Sequence, residues 1–219
     1  RVTSGYGRLI GLYFYLAGCE NFELTAEELE NQLLALCTPW TDQLGQALRL
    51  RYDLDTAKHL QNYFAYAFPE SYQRTTSPEQ AVRDVALLEM SLNTNEIRFD
   101  IFQEPEDIAH NHARLRLYHK ISEKGELFLS DVLPILDHFG FRVIDQEGIL
   151  IDLEDGARMQ MDTFRLAIDG KIEPLFDRKA SLVNALRAVF RGDMSNDPLN
   201  CLVPRAGLKW EEVDLLRAY

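Results

Sequence analysis

The sequence predicts an α+β fold in which a helical segment is followed by a small antiparallel sheet and then by further helices. Two observations carry this prediction. Apolar residues recur at a spacing of about 3.6 in the first part of the chain, and the period changes to about two from Ile97 onward. The dipeptide Asp155-Gly156, typical of a tight β-hairpin turn, lies between two of the alternating stretches.

The N-terminal part begins with a predicted strand. The stretch from Leu9 to Leu16 is apolar and contains three consecutive aromatic residues, which favour β structure. Thr25 and Glu28 then have the spacing of a capping box, in which each side chain satisfies a free backbone N–H at the start of a helix. Leu29, Leu33 and Leu36 follow at helical spacing.

Three further helices are predicted before the sheet. They run from Asp42 to about Arg51, from about Asp55 to Pro69, and from a second capping box at Ser77-Pro78-Glu79-Gln80 onward. Their apolar positions recur on one face of each helix: Leu44, Ala47, Leu48, Ala57, Leu60, Phe64, Phe68, Ala81, Val85, Leu88 and Leu92.

The sheet is predicted from alternating apolar residues. Its strands are centred on Ile97 to Ile101, Leu115 to Ile121, Phe141 to Asp145, Ile149 to Leu153 and Met159 to Ile168. A turn at Glu147-Gly148 would separate the third and fourth of them. This order, with a helix between the second and third strands, is close to a βαββαβ ferredoxin-like or ACT unit.

Helices are predicted between and after the strands. The first runs from Leu129 to Phe139, with Ser130 as its cap, Pro134 in its first turn and Gly140 as its stop. Two more cover about Arg178 to Phe190 and Leu208 to Tyr219.

Composition limits the class of partner. The chain of 219 residues has a formal net charge of −12, so a nucleic acid or an anionic membrane would repel it. It has no apolar run long enough for a membrane span. Three widely spaced cysteines, Cys19, Cys37 and Cys201, predict neither a disulfide framework nor a zinc site and favour a reducing compartment. The missing initiator Met favours a segment of a longer protein.

Few residues suggest chemistry. The pattern Gly5-x-Gly7-x-x-x-Gly11 lacks the spacing, the preceding strand and the following helix of a dinucleotide fingerprint. His110-x-His112 lacks a clear third ligand for a metal. No nucleophile-and-base pattern is recognisable.

Three basic residues share one face of a predicted strand: Arg114, Arg116 and Lys120. They could bind an anionic effector. We favour the alternative, in which they form a solvated face paired with the chain's many carboxylates.

Three stretches carry a resemblance to a known family. Residues 129–145 are similar to the segment LSDVLPVLEN-G-RV-DE, and residues 199–219 to LN-LV--AGL-WREV-LLRAY. Ala67 to Tyr72, followed by Ala81 and Asp84, match the positions AFP--Y and A--D. Together they span about Trp40 to Tyr219 and resemble the large bacterial NAD-specific glutamate dehydrogenases. The departures are at 137–139 and 145–147, and the first 25 residues match least.

The resemblance implies a parent enzyme that oxidatively deaminates L-glutamate to 2-oxoglutarate with NAD. It implies that this segment belongs to the long N-terminal region, which holds ACT-like modules and helical motifs. The family's catalytic lysine and nucleotide-binding residues lie in a later domain, and no position here matches them. We therefore expect no catalytic residue, cofactor site or metal site in this chain, and NAD in the parent enzyme. The expected partners are the enzyme's own catalytic domain and other subunits of a cytoplasmic homo-oligomer.

The predicted division is 1–93 for an N-terminal strand and helical segment, 94–170 for the ACT-like module, and 171–219 for a helical connector toward the catalytic domain. ACT units commonly bind amino acids where a strand meets the first helix. By that analogy the candidate effector edge comprises Gly125, Glu126, Ser130 and Asp131. Ser130 and Asp131 could instead only cap the helix.

The main hypothesis is therefore a regulatory and assembly segment with an amino-acid effector. One alternative is a purely structural oligomerisation scaffold without effector binding. Another is an independent small enzyme, but no group of residues in the sequence supports it.

Overall fold

The computed structural model describes residues 2–4, 10–12, 25, 27–30, 37–121, 127–168, 170 and 172–219. The chain divides into two compact units, which comprise residues 1–39 and 40–219. We describe each unit by itself.

The first unit contains a β-hairpin. Strand β1 (Val2–Ser4) pairs antiparallel with strand β2 (Ile10–Leu12), with Thr3 opposite Gly11. The predicted strand is confirmed at residues 10–12, and residues 13–16 lie outside the described residues.

The glycine pattern at the start of the chain ends within β2, because Gly11 belongs to that strand. The prediction that no strand precedes the glycines was wrong, because β1 lies ahead of them in the sequence. A strand rather than a helix follows, as predicted. Gly5 and Gly7 lie outside the described residues. A pyrophosphate site would need a helix after the glycines, so this context argues against a dinucleotide fingerprint.

The first capping box is confirmed. The Glu28 N–H donates to Thr25 Oγ1 at 3.2 Å, and the Thr25 N–H donates to Glu28 Oε2 at 2.7 Å. Residues 27–30 are helical, whereas Leu33 and Leu36 lie outside the described residues.

Four helices open the second unit: α1 (Trp40–Arg51), α2 (Leu54–Phe64), α3 (Glu70–Thr75) and α4 (Pro78–Thr94). The capping box of α4 is confirmed, because the Gln80 N–H donates to Ser77 Oγ at 3.3 Å and the Ser77 N–H donates to Gln80 Oε1 at 3.2 Å. We call α1–α4 the helical motif.

Helix α2 ends earlier than predicted. It stops at Phe64, and residues 65–67 form a turn before Phe68, which is buried nonetheless. The residue before a proline disfavours the helical backbone. Pro69 instead occupies the N-cap position of α3.

The sheet has four antiparallel strands: β3 (Arg98–Phe102), β4 (His112–Lys120), β5 (Phe141–Asp152) and β6 (Arg158–Ile168), in the spatial order β3-β4-β6-β5. A short helix, α5 (Pro105–Ile108), joins β3 to β4. Helix α6 (Leu129–His138) lies between β4 and β5 in the chain.

The sheet has the spatial arrangement of a βαββαβ unit with one strand moved in the chain. In chain order, β4, α6, β5 and β6 correspond to the first four elements, βαββ, of that unit. The edge strand beside β4 would come last in the βαββαβ order, but here β3 precedes β4. The predicted α+β class with an ACT-like antiparallel sheet is confirmed.

The predicted turn at Glu147-Gly148 was wrong. Strand β5 runs through both residues, and Gly148 pairs with Asp162. A Cβ at Gly148 would lie 3.1 Å from Asp162 Oδ1, so a glycine fits a close approach within the strand. The chain turns at Asp155-Gly156 as predicted, where Gly156 has a φ of +85°.

Two details of α6 also differ from the prediction. Phe128 rather than Ser130 is the N-cap residue, and its side chain makes no cap hydrogen bond. Pro134 lies inside the helix rather than in its first turn. A proline there removes the N–H that would bond to the carbonyl of Ser130.

The chain ends in short helices that cover one face of the sheet. They are α7 (Glu173–Asp177), α8 (Lys179–Arg191), a 3₁₀ turn (Pro198–Cys201), α9 (Leu202–Ala206) and α10 (Trp210–Arg217).

The alternation of side chains along the strands produces two cores. Leu115, Leu117 and Phe164 point to the face covered by α6–α10. Tyr118 and Met161 point to the opposite face, where the helical motif packs. The sheet is therefore the middle layer of the second unit.

Replacing Ser77 with Ala should lower the free energy of unfolding by about 1 kcal/mol, because the N–H of Gln80 loses its cap. Urea denaturation followed by tryptophan fluorescence measures the change. The matched control is Ser71→Ala, at an exposed position inside α3. Equal stability of the Ser77 variant and the parent chain would contradict the role of the cap.

Candidate functional site

A polar cleft lies between the helical motif and the sheet. Its volume is about 470 Å³, and it is open to solvent. One wall comes from the end of α3 and the first turns of α4, and the floor comes from β3, β4 and β5. Eight charged residues line it: Arg83, Asp84, Asp100, Glu104, Glu106, Arg114, Arg116 and Glu147.

Asp84 is the centre of a buried network at the back of this cleft. The side chain projects from α4 and is 4% exposed. Its carboxylate accepts hydrogen bonds from the hydroxyls of Tyr72 at 2.5 Å and Tyr118 at 2.6 Å. Arg116 Nη1 donates to it at 2.6 Å and completes an ion pair. Three donors thus compensate the cost of removing one carboxylate from water.

Arg116 is itself held on several sides. Its Nε donates to Thr163 Oγ1 at 2.8 Å, and its guanidinium lies 4.9 Å from the centre of the Phe102 ring. Burial disfavours the charged guanidinium, but the negative charge of Asp84 and the contacts with Tyr118 and Tyr72 together outweigh this effect and raise the pKa of Arg116. Its charge is therefore a fixed part of the network.

The two tyrosines are held neutral. Burial, and then the negative charge of Asp84, raise the pKa of Tyr72 and of Tyr118 well above the ordinary value of 10.0. Both hydroxyls therefore remain hydrogen-bond donors to Asp84 at neutral pH.

Arg114 forms a second ion-paired group at the edge of the cleft. Its Nε donates to Asp107 Oδ2 at 2.7 Å, and it also contacts Glu106. Asp107 is 1% exposed and caps α5 through its contact with the N–H of Glu104.

The predicted pairing of the strand's arginines with carboxylates is confirmed for Arg114 and Arg116. The predicted solvated face was wrong for both, because their side chains are only 20% and 13% exposed. Asp84 of α4 reaches Arg116, and Asp107 of α5 reaches Arg114. The sequence of the strand alone does not reveal these partners.

The candidate effector edge lies elsewhere. Ser130 and Asp131 are exposed in the first turn of α6 and are not among the residues that line the cleft. Gly125 and Glu126 lie outside the described residues.

The Asp84 network was missed by the sequence analysis. A signal was present, because Asp84 lies between Ala81 and Val85 on the inward face of a helix. An inward carboxylate needs buried donors. Which donors it finds depends on residues far away in the chain.

The His110-x-His112 pair does not gain further ligands. The two rings stack with their centres 5.6 Å apart. Among the described residues no group of three or more His, Cys, Asp or Glu side chains could hold a metal ion. Likewise, no helix in the described part of the chain is both long enough and apolar enough to cross a bilayer.

Comparisons with known proteins agree with this architecture. Residues 96–180 match the family model described as glutamate dehydrogenase, ACT3 domain. Residues 47–90 match the model described as glutamate dehydrogenase, helical motif 2.

The chain is also similar to three NAD-specific glutamate dehydrogenases. It is 28% identical to the protein of Halomonas elongata over 198 residues and 28% identical to that of Pseudomonas aeruginosa over 201 residues. It is 25% identical to that of Mycobacterium tuberculosis over 197 residues.

These alignments cover 87–90% of this chain but 12% of each relative. The predicted resemblance is therefore confirmed, and the chain is similar to one segment of a large enzyme.

The matched modules meet at the Asp84 network. Asp84 lies in the region that matches helical motif 2, and Arg116 and Tyr118 lie in the region that matches the ACT3 domain. A second contact joins them, because the Tyr63 hydroxyl donates to Asp155 Oδ2 at 2.6 Å.

Replacing Asp84 with Ala should lower the free energy of unfolding by about 3–5 kcal/mol, because it leaves a buried guanidinium and two buried hydroxyls without their acceptor. Urea denaturation measures the loss. The control is Glu70→Ala, which breaks an ion pair whose two side chains are 83% and 77% exposed. We expect little change from the control, and an equally small change at Asp84 would contradict a central role for the network.

Stability should also fall at high pH. Unfolded tyrosines lose their protons above about pH 10, whereas Tyr72 and Tyr118 stay protonated in the folded chain. Their contribution is therefore complete below about pH 10 and is lost as the pH rises further. Burial and the contact with Asp155 raise the pKa of Tyr63 to about 12, which adds to the same trend.

Urea denaturation between pH 8 and pH 12 measures this dependence. Replacing Tyr72 with Phe should make the loss above about pH 10 less steep. The control Tyr66→Phe removes a tyrosine that is 75% exposed and should leave the slope unchanged. Identical slopes in both variants would contradict the buried, neutral state of Tyr72.

Proposed function

We propose that this chain, which matches two modules of glutamate dehydrogenase, is a non-catalytic regulatory and assembly segment of an NAD-specific glutamate dehydrogenase. In this proposal the parent enzyme oxidatively deaminates L-glutamate to 2-oxoglutarate, and NAD binds to another part of it. The match to the ACT3 domain and helical motif 2 supports the assignment to this enzyme.

The buried joint between the modules is the observation that carries the regulatory role. The Arg116–Asp84 ion pair and the hydroxyl of Tyr118 connect the sheet to the helical motif. Because buried ion pairs tolerate little displacement, the two modules would respond to a ligand or a neighbouring subunit as one body. A segment of this kind transmits a change in contact without taking part in chemistry.

Exposed apolar residues on α6 and β5 support the assembly role. Phe128, Leu129 and Leu133 at the start of α6 are 59%, 45% and 39% exposed. Ile144 and Leu150 on the edge strand β5 are 43% and 40% exposed. Apolar surface of this kind is typical of contact sites. In this proposal the contacts are made with the enzyme's catalytic domain and with other subunits of a homo-oligomer.

The candidate effector edge belongs to the same proposal. Ser130 and Asp131 are exposed in the first turn of α6, where an amino-acid effector could reach them. Gly125 and Glu126 complete the proposed edge in the sequence. A cytoplasmic location is supported by the free thiols of Cys37 and Cys201.

A thermal-shift scan of the 219-residue chain tests the proposal. Its ligands are the proteinogenic amino acids, 2-oxoglutarate and NAD. We expect stabilisation by at least one amino acid and none by NAD, because a ligand at 100 times its dissociation constant stabilises the folded chain by about 2.7 kcal/mol. Analytical ultracentrifugation of the same sample should show self-association.

Two variants locate the effector. Ser130→Ala and Asp131→Asn should weaken the stabilisation by the active amino acid, whereas Ser71→Ala should not. Self-association without any ligand effect would support the purely structural scaffold instead. Glutamate-dependent reduction of NAD by the isolated chain, or a clear NAD shift, would contradict the non-catalytic assignment.

A further inference from the structure

We propose that the cleft between the helical motif and the sheet binds a small molecule that carries both a carboxylate and a cationic group. This site is separate from the candidate effector edge at Ser130 and Asp131. The inference deepens the proposed function, because it gives the regulatory segment a second place for a ligand and a chemical class for it.

The cleft leaves charge of both signs uncompensated. Arg83, on α4, has no ion pair or side-chain hydrogen bond with any residue in the described part of the chain. The same holds for Glu147, on strand β5. Both side chains are exposed, and they reach the cleft from different elements, one with each sign of charge.

The other guanidinium groups of the lining are already paired with carboxylates. Arg116 is paired with Asp84, and Arg114 with Asp107 and Glu106. Asp100 is paired with Lys179 at 2.5 Å. These pairs form the floor and rim of the cleft, and their charges largely cancel. The available partners for a ligand are therefore Arg83 for a carboxylate, and Glu147 for a cation together with Glu104, which has no ion pair with any described residue and accepts a hydrogen bond from the amide of Gln80.

The charges of the lining disfavour ligands of a single charge. The lining contains five carboxylates and three guanidinium groups. A simple anion would pair with Arg83 but approach Glu147 without compensation. A simple cation would pair with Glu147 but leave Arg83 unpaired. A molecule with both groups satisfies both residues, and like-charge contacts are avoided.

The size of the cleft agrees with such a ligand. Its volume of about 470 Å³ lies within the range of small-molecule sites. The amide of Gln80, which donates to Glu104 Oε1 at 3.2 Å, and the hydroxyls of Thr75 and Thr76 add polar groups along the same wall. Uncharged polar groups of this kind orient a ligand without changing the balance of charge.

A ligand in this cleft would bridge the two matched modules. Arg83 lies in the region that matches helical motif 2, and Glu147 lies in the region that matches the ACT3 domain. The Asp84–Arg116 pair lies in the same cleft. A bound molecule would thus add a second connection beside the buried joint.

Calorimetric titration of the 219-residue chain tests the inference. The probes are glycine, 4-aminobutanoate and 6-aminohexanoate, which hold the two charges at increasing separation, with hexanoate and hexylamine as single-charge controls. We expect one zwitterion to bind at least tenfold more tightly than either single-charge probe. The length of the zwitterion that binds most tightly reports the distance between the side chains that pair with its two charges.

Variants place the binding in the cleft. Arg83→Gln and Glu147→Gln should each raise the dissociation constant of the preferred zwitterion at least tenfold. The matched controls are Arg142→Gln and Glu154→Gln, at exposed positions outside the cleft, and they should change it less than twofold. Circular dichroism of all four variants checks that the fold is retained.

Three results would overturn the inference. They are no binding of any zwitterion at 10 mM, equal binding of hexanoate or hexylamine, or binding that Arg83→Gln and Glu147→Gln leave unchanged. Amino-acid stabilisation that depends on Ser130 and Asp131 but not on the cleft variants would sink this site while the proposed regulatory function stands.

Discussion

The second unit depends on one buried carboxylate. Asp84 is placed by a helix whose other inward residues, apart from Ser91, are apolar. It is tolerated because a guanidinium and two tyrosine hydroxyls converge on it. Apolar packing alone would let the helical motif slide across the sheet, since hydrophobic contact has no fixed direction. Hydrogen bonds do have direction. The network therefore fixes the register between the helices and the strands.

The sheet makes this arrangement possible because it is a middle layer. Its two faces have separate apolar cores, and each is covered by helices from a different part of the chain. The helical motif covers only one end of its face. Where its coverage stops, the strands carry Arg114, Arg116 and Glu147 instead of apolar residues, and the cleft begins. The polar cleft is thus a consequence of a short helical layer on a longer sheet.

Much of the fold could be predicted from local pattern, because periodicity and capping depend on neighbouring residues. The box at Ser77 and the hairpin at Asp155-Gly156 are of this kind. Gly148 was misread because a glycine inside a strand and a glycine in a turn look alike until the partner strand is known.

The cleft was missed for a related reason. Asp84 and Arg116 are 32 positions apart, and their meeting depends on how the layers pack. The proposed effector edge at Ser130 came from family analogy. The prediction that Ser130 caps α6 was wrong, because Phe128 has the extended backbone of the N-cap residue.

The unusual position of β3 in the chain has a consequence for synthesis on the ribosome. In the βαββαβ order, the edge strand beside the first strand would emerge last, after the second helix. Here all four strands have been made once Ile168 leaves the ribosome, and β3 pairs with the strand that directly follows it. The sheet and the helical motif can therefore assemble while the C-terminal helices are still being translated. Until those helices arrive, α6 alone covers the face that carries Leu115, Leu117 and Phe164, and the apolar surface left open favours aggregation of the nascent chain.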